Sequence, residues 1–176
     1  MPEKAGLRSE GLGLSKAQSS TTQPSILNPH PSAPSGTLLA FDFGTKRIGI
    51  AVGNSVTGTA QPLTTINDEK NETRFAAIAA LLHDWQPAAL VVGLPCNEDG
   101  TPHELTALCR RFANRLKGRF DLPTILVDER YTSAAASAAL DEQGIHGRKQ
   151  KPLIDQYAAQ QILQAYFDEP SAGIYA

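Results

Sequence analysis

A chain of 176 residues, 41% hydrophobic and 19% charged, is long enough for one full core and has the balance of an ordinary globular domain. Its formal charge of −2 excludes a global field that recruits nucleic acid, so any polyanion binding must come from local clusters. No apolar run of about 18 residues occurs and no apolar segment follows Met1; neither a membrane span nor a signal peptide is supported, and a cytoplasmic location is expected.

Residues 1–36 are rich in Ser, Pro, Gly, Gln and Thr and lack a periodic apolar face, the composition of a disordered tail. Lys4, Arg8 and Lys16 against Glu3 and Glu10 give that tail +1, which leaves −3 for residues 37–176. One folded domain is expected over residues 37–170. Its first elements are the apolar runs LLAF and IGIAVG, which flank the turn FGTK and predict a β-hairpin in which Gly44 takes the positive φ of a tight reversal. Asp42 then closes the first strand. An acid on an apolar strand has to be solvated, paired or bound to a cation, and capping of the turn by its side chain is the structural alternative.

Residues 61–66, QPLTTI, alternate as a third strand. The period then changes: Phe75, Ile78, Ala79 and Leu82 recur at helical spacing, predicting a helix from Asn71 or Glu72 to Trp85 that Pro87 stops. AALVVGLP (88–95) reads as a central strand covered on both faces, followed by the loop CNEDGTP. From His103 to about Lys117 a second helix gathers Leu105, Leu108, Cys109, Phe112 and Leu116 on one face and Arg110, Arg111, Arg115 and Lys117 largely on the other. DLPTILVDE is another buried strand, closed by Asp128 and Glu129. TSAAASAALDEQG predicts a short Ala-rich helix ended by Gly144, and after the basic loop IHGRKQK a last helix runs from Pro152 to about Phe167. This order implies an α/β domain, a mixed five-stranded sheet with helices on both faces. Cys96 and Cys109 have no cysteine or histidine at metal-clip spacing and are expected as free thiols.

Sites in open α/β sheets lie beyond the carboxyl ends of the strands. Asp42 stands at one such end, Asp128 and Glu129 at another. Asp155 sits one turn into the last helix, with Ala158, Ala159 and Ile162 at helical spacing, so it faces the sheet. Each has a structural alternative: stabilisation of the helix dipole for Asp155, and a salt bridge with Arg130 or the basic loop for Asp128 and Glu129. Converging carboxylates repel unless a divalent cation neutralises them, and hard oxygen donors suit Mg²⁺ or Mn²⁺. The pattern therefore predicts metal-dependent nuclease chemistry, with Asp42, Glu129, Asp155 and Asp128 as candidate ligands. Lys46 and Arg47 beside the turn, Arg130, and the cluster Arg148, Lys149 and Lys151 are the candidates for holding phosphates.

Four blocks resemble the YqgF or RuvX family of RNase H-like proteins, relatives of Holliday junction resolvases: FDFGTKRIGIAVGN, VVGLPCNEDGT, LVDERYTSAAA and KPLIDQYAAQQILQAYF. The resemblance spans about residues 38–167. It implies an RNase H-like fold, divalent-metal nuclease activity and a role in maturing the 5′ end of pre-16S rRNA, with Asp42, Glu129 and Asp155 as the catalytic acids. One departure stands out: resolvase relatives carry an acid at the end of the fourth strand, where this chain reads Gly93-Leu94-Pro95. If strand order follows the superfamily, the strand ending at Glu129 lies two positions from Asp42, roughly 9–10 Å across the sheet at about 4.8 Å per strand. That separation favours the longer Glu129 over Asp128, while alternation leaves open which of the two shares the face of Asp42.

The same residues admit three rival readings. The nuclease could be a junction resolvase acting on branched DNA, which needs two symmetric sites, whereas trimming one RNA strand needs one; monomer and homodimer are both open. The domain could be a non-catalytic nucleic-acid adaptor. The opening hairpin also resembles the phosphate-binding hairpin of actin- and sugar-kinase-type ATPases, which need a second domain that this length does not accommodate.

Overall fold

The computed structural model describes residues 32–97, 99–129, 142, 144 and 150–176. Strands β1 (Thr37–Phe43) and β2 (Arg47–Asn54) pair antiparallel from Thr37 opposite Asn54 to Phe43 opposite Ile48, the hairpin that the two apolar runs predict. Gly44 does not take the expected positive φ. Its amide donates to the Arg47 carbonyl at 2.8 Å, and a Cβ there would stand 2.8 Å from that same oxygen. Close approach of the two strands, not handedness, is what demands glycine in this turn.

β3 (Thr59–Asn67) pairs antiparallel with β2 across an irregularity between Ile50 and Ala51. β4 (Ala89–Leu94) runs parallel to β1, and β5 (Thr124–Asp128) parallel to β4. A two-residue strand, β6 (Ile174–Tyr175), adds antiparallel to β5, giving the order β3-β2-β1-β4-β5-β6. Among the described residues the sheet thus has six strands rather than the five expected. β6 is too short to carry a period; it pairs with β5 through its backbone, and the Ala176 amide donates to the Thr124 carbonyl at 2.9 Å.

Helix α1 (Asn71–Trp85) matches its expected bounds, ending where Gln86 adopts a left-handed φ of 46° before Pro87. α2 (Thr106–Phe120) begins three residues later than expected, because the hydroxyl of Thr106 accepts from the His103 amide at 2.6 Å and donates to the Pro95 carbonyl at 2.5 Å. α3 (Gln150–Asp168) is the last α-helix, followed by a 3₁₀ turn at Pro170–Ala172. The Ala-rich helix expected at 132–144 lies outside the described residues except for Glu142 and Gly144, the latter at φ +72°.

Strand alternation sorts the core into two layers. Leu39, Phe41, Ile48, Ile50, Leu90, Val92 and Leu126 pack with α1 and α2, whereas Leu38, Ala40, Ala51, Val91, Ile125 and Val127 pack with Ala159, Ile162, Leu163 and Tyr166 of α3. Helices therefore cover both faces, an RNase H-like arrangement. Edge strand β3 is covered by α3: Gln160 donates to the Ala60 carbonyl at 2.9 Å, while Gln164 accepts from the Ala60 amide at 3.2 Å and donates to the Gly58 carbonyl at 2.9 Å. Both cysteines are free, Cys109 buried and Cys96 partly so. Among the described residues no helix is long and apolar enough to cross a membrane.

Candidate active site

Asp42 is the penultimate residue of β1, opposite Gly49 of β2. Alternation from the buried Leu38 and Ala40 turns it toward α3. The helix comes unusually close there: a Cβ on Gly49 would lie 1.9 Å from the Asp155 carbonyl oxygen and 2.8 Å from the Asp155 Cβ. Glycine at 49 thus seats the first turns of α3 on the sheet and delivers Asp155 to the face of Asp42. Thr65 adds a second anchor, its hydroxyl donating to the Pro152 carbonyl at 2.7 Å.

Glu129 follows β5 directly, and its amide donates to the Leu94 carbonyl at 3.3 Å. Alternation from Ile125 and Val127 gives it the α3 face, while Asp128, opposite Leu94, is exposed and has the other. The gap of one strand between Glu129 and Asp42 is bridged over a glycine. A Cβ on Gly93 would lie 2.6 Å from Glu129 Oε2 and 2.5 Å from Ile162 Cδ1, so the carboxylate occupies the space that a side chain on β4 would fill. The departure at Gly93 and the placement of Glu129 are one feature: the acid comes from the next strand, and β4 is bare beneath it.

The electrostatics reflect this crowding. Burial first, and then the charge of Asp155, raises Asp42 to about 7. Burial, then Asp42, then Asp128 raise Glu129 to about 8. Cys109, buried under the sheet, is pushed up to about 12 by burial and then by Glu129 and Asp42, which makes it a packing residue and not a nucleophile. Among the described residues no three Asp, Glu, His or Cys side chains close on a single metal position as the chain stands. One reason is visible: Asp155 already has a cation, the Arg47 Nε at 2.5 Å from its Oδ2.

A cleft of about 340 Å³ opens here, walled by Asp42, Asp155, Leu105 and the turn from Phe43 to Arg47. Lys46 is exposed at this wall, Arg47 is engaged with Asp155, and Lys151 is exposed at the start of α3. Arg130, Arg148 and Lys149 lie outside the described residues. Sequence reasoning missed Arg74. Only 3% exposed, it donates through Nη2 to the carbonyls of Thr45 at 2.6 Å and Gly44 at 3.1 Å, and through Nε to the Asp68 carbonyl, so it holds the turn that forms the cleft wall. The signal was available: one residue before Phe75 and four before Ile78, it falls on the apolar face of α1, where a cation needs acceptors.

The sheet thus carries acids at the ends of its first and fifth strands and a third on the closing helix, beyond the carboxyl ends of the strands, where sites in open α/β sheets lie. Residues 36–169 match the family described as RuvX, Holliday junction resolvase, and the chain belongs to that family. It is 60% identical over 141 residues to a Methylobacillus flagellatus protein assigned as a pre-16S rRNA nuclease, covering 80% of this chain and 97% of that one. A Nitrosomonas europaea protein assigned to the same role is 57% identical, covering 78% and 93%. In fold, the chain is similar to fowlpox virus resolvase, solved with Holliday junction DNA, at 10% identity and a TM-score of 0.50 over 76% of this chain and 98% of that one.

Proposed function

We propose that this protein is a metal-dependent nuclease of the cytoplasm that hydrolyses phosphodiester bonds in maturing the 5′ end of pre-16S rRNA. The observation that carries the reading is the assembly of Asp42, Glu129 and Asp155 on one face of the sheet, with glycines at 49 and 93 making the room. The donor set suits Mg²⁺ or Mn²⁺: the three groups are carboxylates, and Asp42 and Glu129 retain protons near neutrality because burial and mutual repulsion leave them short of positive charge. Asp42 and Glu129 would hold the ion, joined by Asp155 when Arg47 lets go; Asp128, on the opposite face, is left out of the set. Such an ion, when bound, supplies an activated water and stabilises the leaving oxygen.

The chain's own residues do the rest. The cleft wall from Phe43 to Arg47, stiffened by Arg74, positions the scissile phosphate against Asp42. Lys46 meets a neighbouring phosphate at the rim, and Arg47, released from Asp155, is placed to meet another. The relatives assigned as pre-16S rRNA nucleases favour RNA, and the family's description as resolvases favours branched DNA as a second substrate class.

Incubation with Mn²⁺ and either a 5′-extended 16S precursor or a four-way DNA junction, beside Asp42→Asn, tests both. Cleavage of the precursor by the native protein, lowered at least ~10³-fold in the variant, is expected. Equal products from the two proteins would remove the chemistry from Asp42.

A further inference from the structure

Beside the acidic cleft lies a second cavity, of about 290 Å³, that shares Phe43 and Thr45 with it as walls. Its apolar lining is Phe43, Leu108 and Phe112, with the Phe43 and Phe112 rings stacked at 4.8 Å. Its exposed rim carries Arg111 and Arg115, one turn apart on α2, across from Thr45, Glu69 and Asn71. Arg74 also lines it but is occupied by the turn carbonyls, and Glu69 is the one acid in the lining.

The charge on α2 is not that of an ordinary solvated face. Thr106–Phe120 carries Arg110, Arg111, Arg115, Lys117 and Arg119 and no acid, in a domain whose sequence from residue 37 onward sums to −3. A helix surface that merely needs water is usually laced with opposite charges at i, i+4, and this one has none. Two of the five cations have other contacts: Lys117 donates to the Ala176 carbonyl, and the Arg119 guanidinium lies 4.4 Å from the centroid of the Phe75 ring. Among the described residues no ion pair or hydrogen bond engages Arg111 or Arg115.

We propose that this groove is a second phosphate-binding site, in which Arg111 and Arg115 hold successive phosphodiesters of the strand whose scissile bond lies in the acidic cleft. The inference rests on the nuclease reading for which strand it holds, and on the groove alone for what it binds. Because the two cavities share Phe43 and Thr45, a strand leaving Asp42 passes over the turn directly onto α2. Arginine forks match phosphate oxygens, and the Phe43–Phe112 pair offers an apolar bed for the sugar and base edges of a single strand. Contacts of this type position the chain without reading its sequence.

Arg110 provides the internal control, since it is exposed on the same helix and adjacent in sequence, but does not line the groove. Binding of the full-length protein to a fluorescent single-stranded RNA, in EDTA and over a salt series, gives the slope of log affinity against log salt. The double variant Arg111→Ala/Arg115→Ala should lose about 1.4 from that slope, some 0.7 per single-strand phosphate contact, and bind at least ~10-fold more weakly at low salt. Arg110→Ala should leave the slope unchanged, and Arg111→Lys/Arg115→Lys should restore most of it. In cleavage with Mn²⁺ the loss should appear as a raised KM for the RNA in the double Ala variant, with Arg110→Ala keeping the native KM.

Equal slope losses in Arg110→Ala and Arg111→Ala, or an unchanged slope in the double variant, would overturn the groove. If the native protein binds with the full slope, the double variant loses it, and no substrate is cut, the groove stands and the nuclease reading falls. If the native protein cuts and the double variant binds and cuts with unaltered KM, the reverse holds.

Discussion

On the side of the sheet covered by α1 and α2, the end of β1 is closed by rings: Phe112 stands 5.9 Å from Phe41 and 4.8 Å from Phe43, and Phe75 lies 6.0 Å from Phe112. On the side covered by α3, the same strand end presents Asp42, flanked by Gly49 on one neighbouring strand and Gly93 on the other. The first face fills its space with aromatic volume and gains stability from it. The second withholds side chains, lets a helix backbone come close, and spends the room on carboxylates that burial and repulsion keep partly protonated. A site that traps a cation has to be under-neutralised without it, and glycine is what allows the acids to be brought together without exposing them.

The sharpest way to break the contrast is to put a methyl group on each face. Gly49→Ala drives a Cβ to 1.9 Å from the Asp155 carbonyl, a backbone collision that no rotamer relieves, so α3 has to lift; the domain should lose about 3 kcal/mol or more. Gly118→Ala, on exposed α2 with nothing within 4 Å, should instead gain about 0.5–1 kcal/mol from helix propensity. Urea titration of both variants checks the pair, and similar stabilities for the two would refute the close docking of α3. Arg74→Met comes next. It strips three carbonyls of their donor beside the turn and should cost about 2–3 kcal/mol, with faster hydrogen exchange at the Gly44 amide than in the native protein.

How much of this could be read from residues alone divides along the same line. The hairpin, α1 and the buried strands β4 and β5 announce themselves through period and punctuation, because burial on one or both faces leaves a pattern. Asp155 was legible as inward-facing from Ala158, Ala159 and Ile162. The side of Glu129 was not, since a single step of alternation decides it and only the register of β5 against β4 fixes that step. The reason for Gly93 was hidden as well: its meaning depends on a carboxylate 36 positions further along the chain. β6 left no trace, because two exposed residues have no face to hide.

A third test acts on the charge that distinguishes the faces. Asp42 and Glu129 bind protons more tightly folded than unfolded, rising from 3.8 to about 7 and from 4.5 to about 8. Between those values the folded state carries the extra protons, so the stabilisation is complete below about pH 4 and is lost as pH climbs toward 8. Metal-free protein should therefore melt lower at pH 8 than at pH 5, and Asp42→Asn should flatten much of that decline. Saturating Mn²⁺ at pH 8 should restore the loss, about 2.7 kcal/mol at a hundred times its Kd. A native melting profile equally steep in Asp42→Asn would place the titrating group elsewhere.

The smallest effect on stability is expected from Arg47→Met. The pair with Asp155 is short, but the side chains are 36% and 21% exposed, and ion pairs open to water to that degree contribute about 0–1 kcal/mol. The melting temperature should hardly move. What should move is the Mn²⁺ concentration at half-maximal stabilisation, because in the native protein the guanidinium already neutralises Asp155 and an incoming ion has to displace it. Without Arg47 the carboxylates of Asp42 and Asp155 face each other with that counter-charge gone, so the midpoint should fall several-fold while the plateau stays the same. An unchanged midpoint would mean that Arg47 and the ion do not compete for Asp155, leaving Asp42 and Glu129 to hold the cation by themselves.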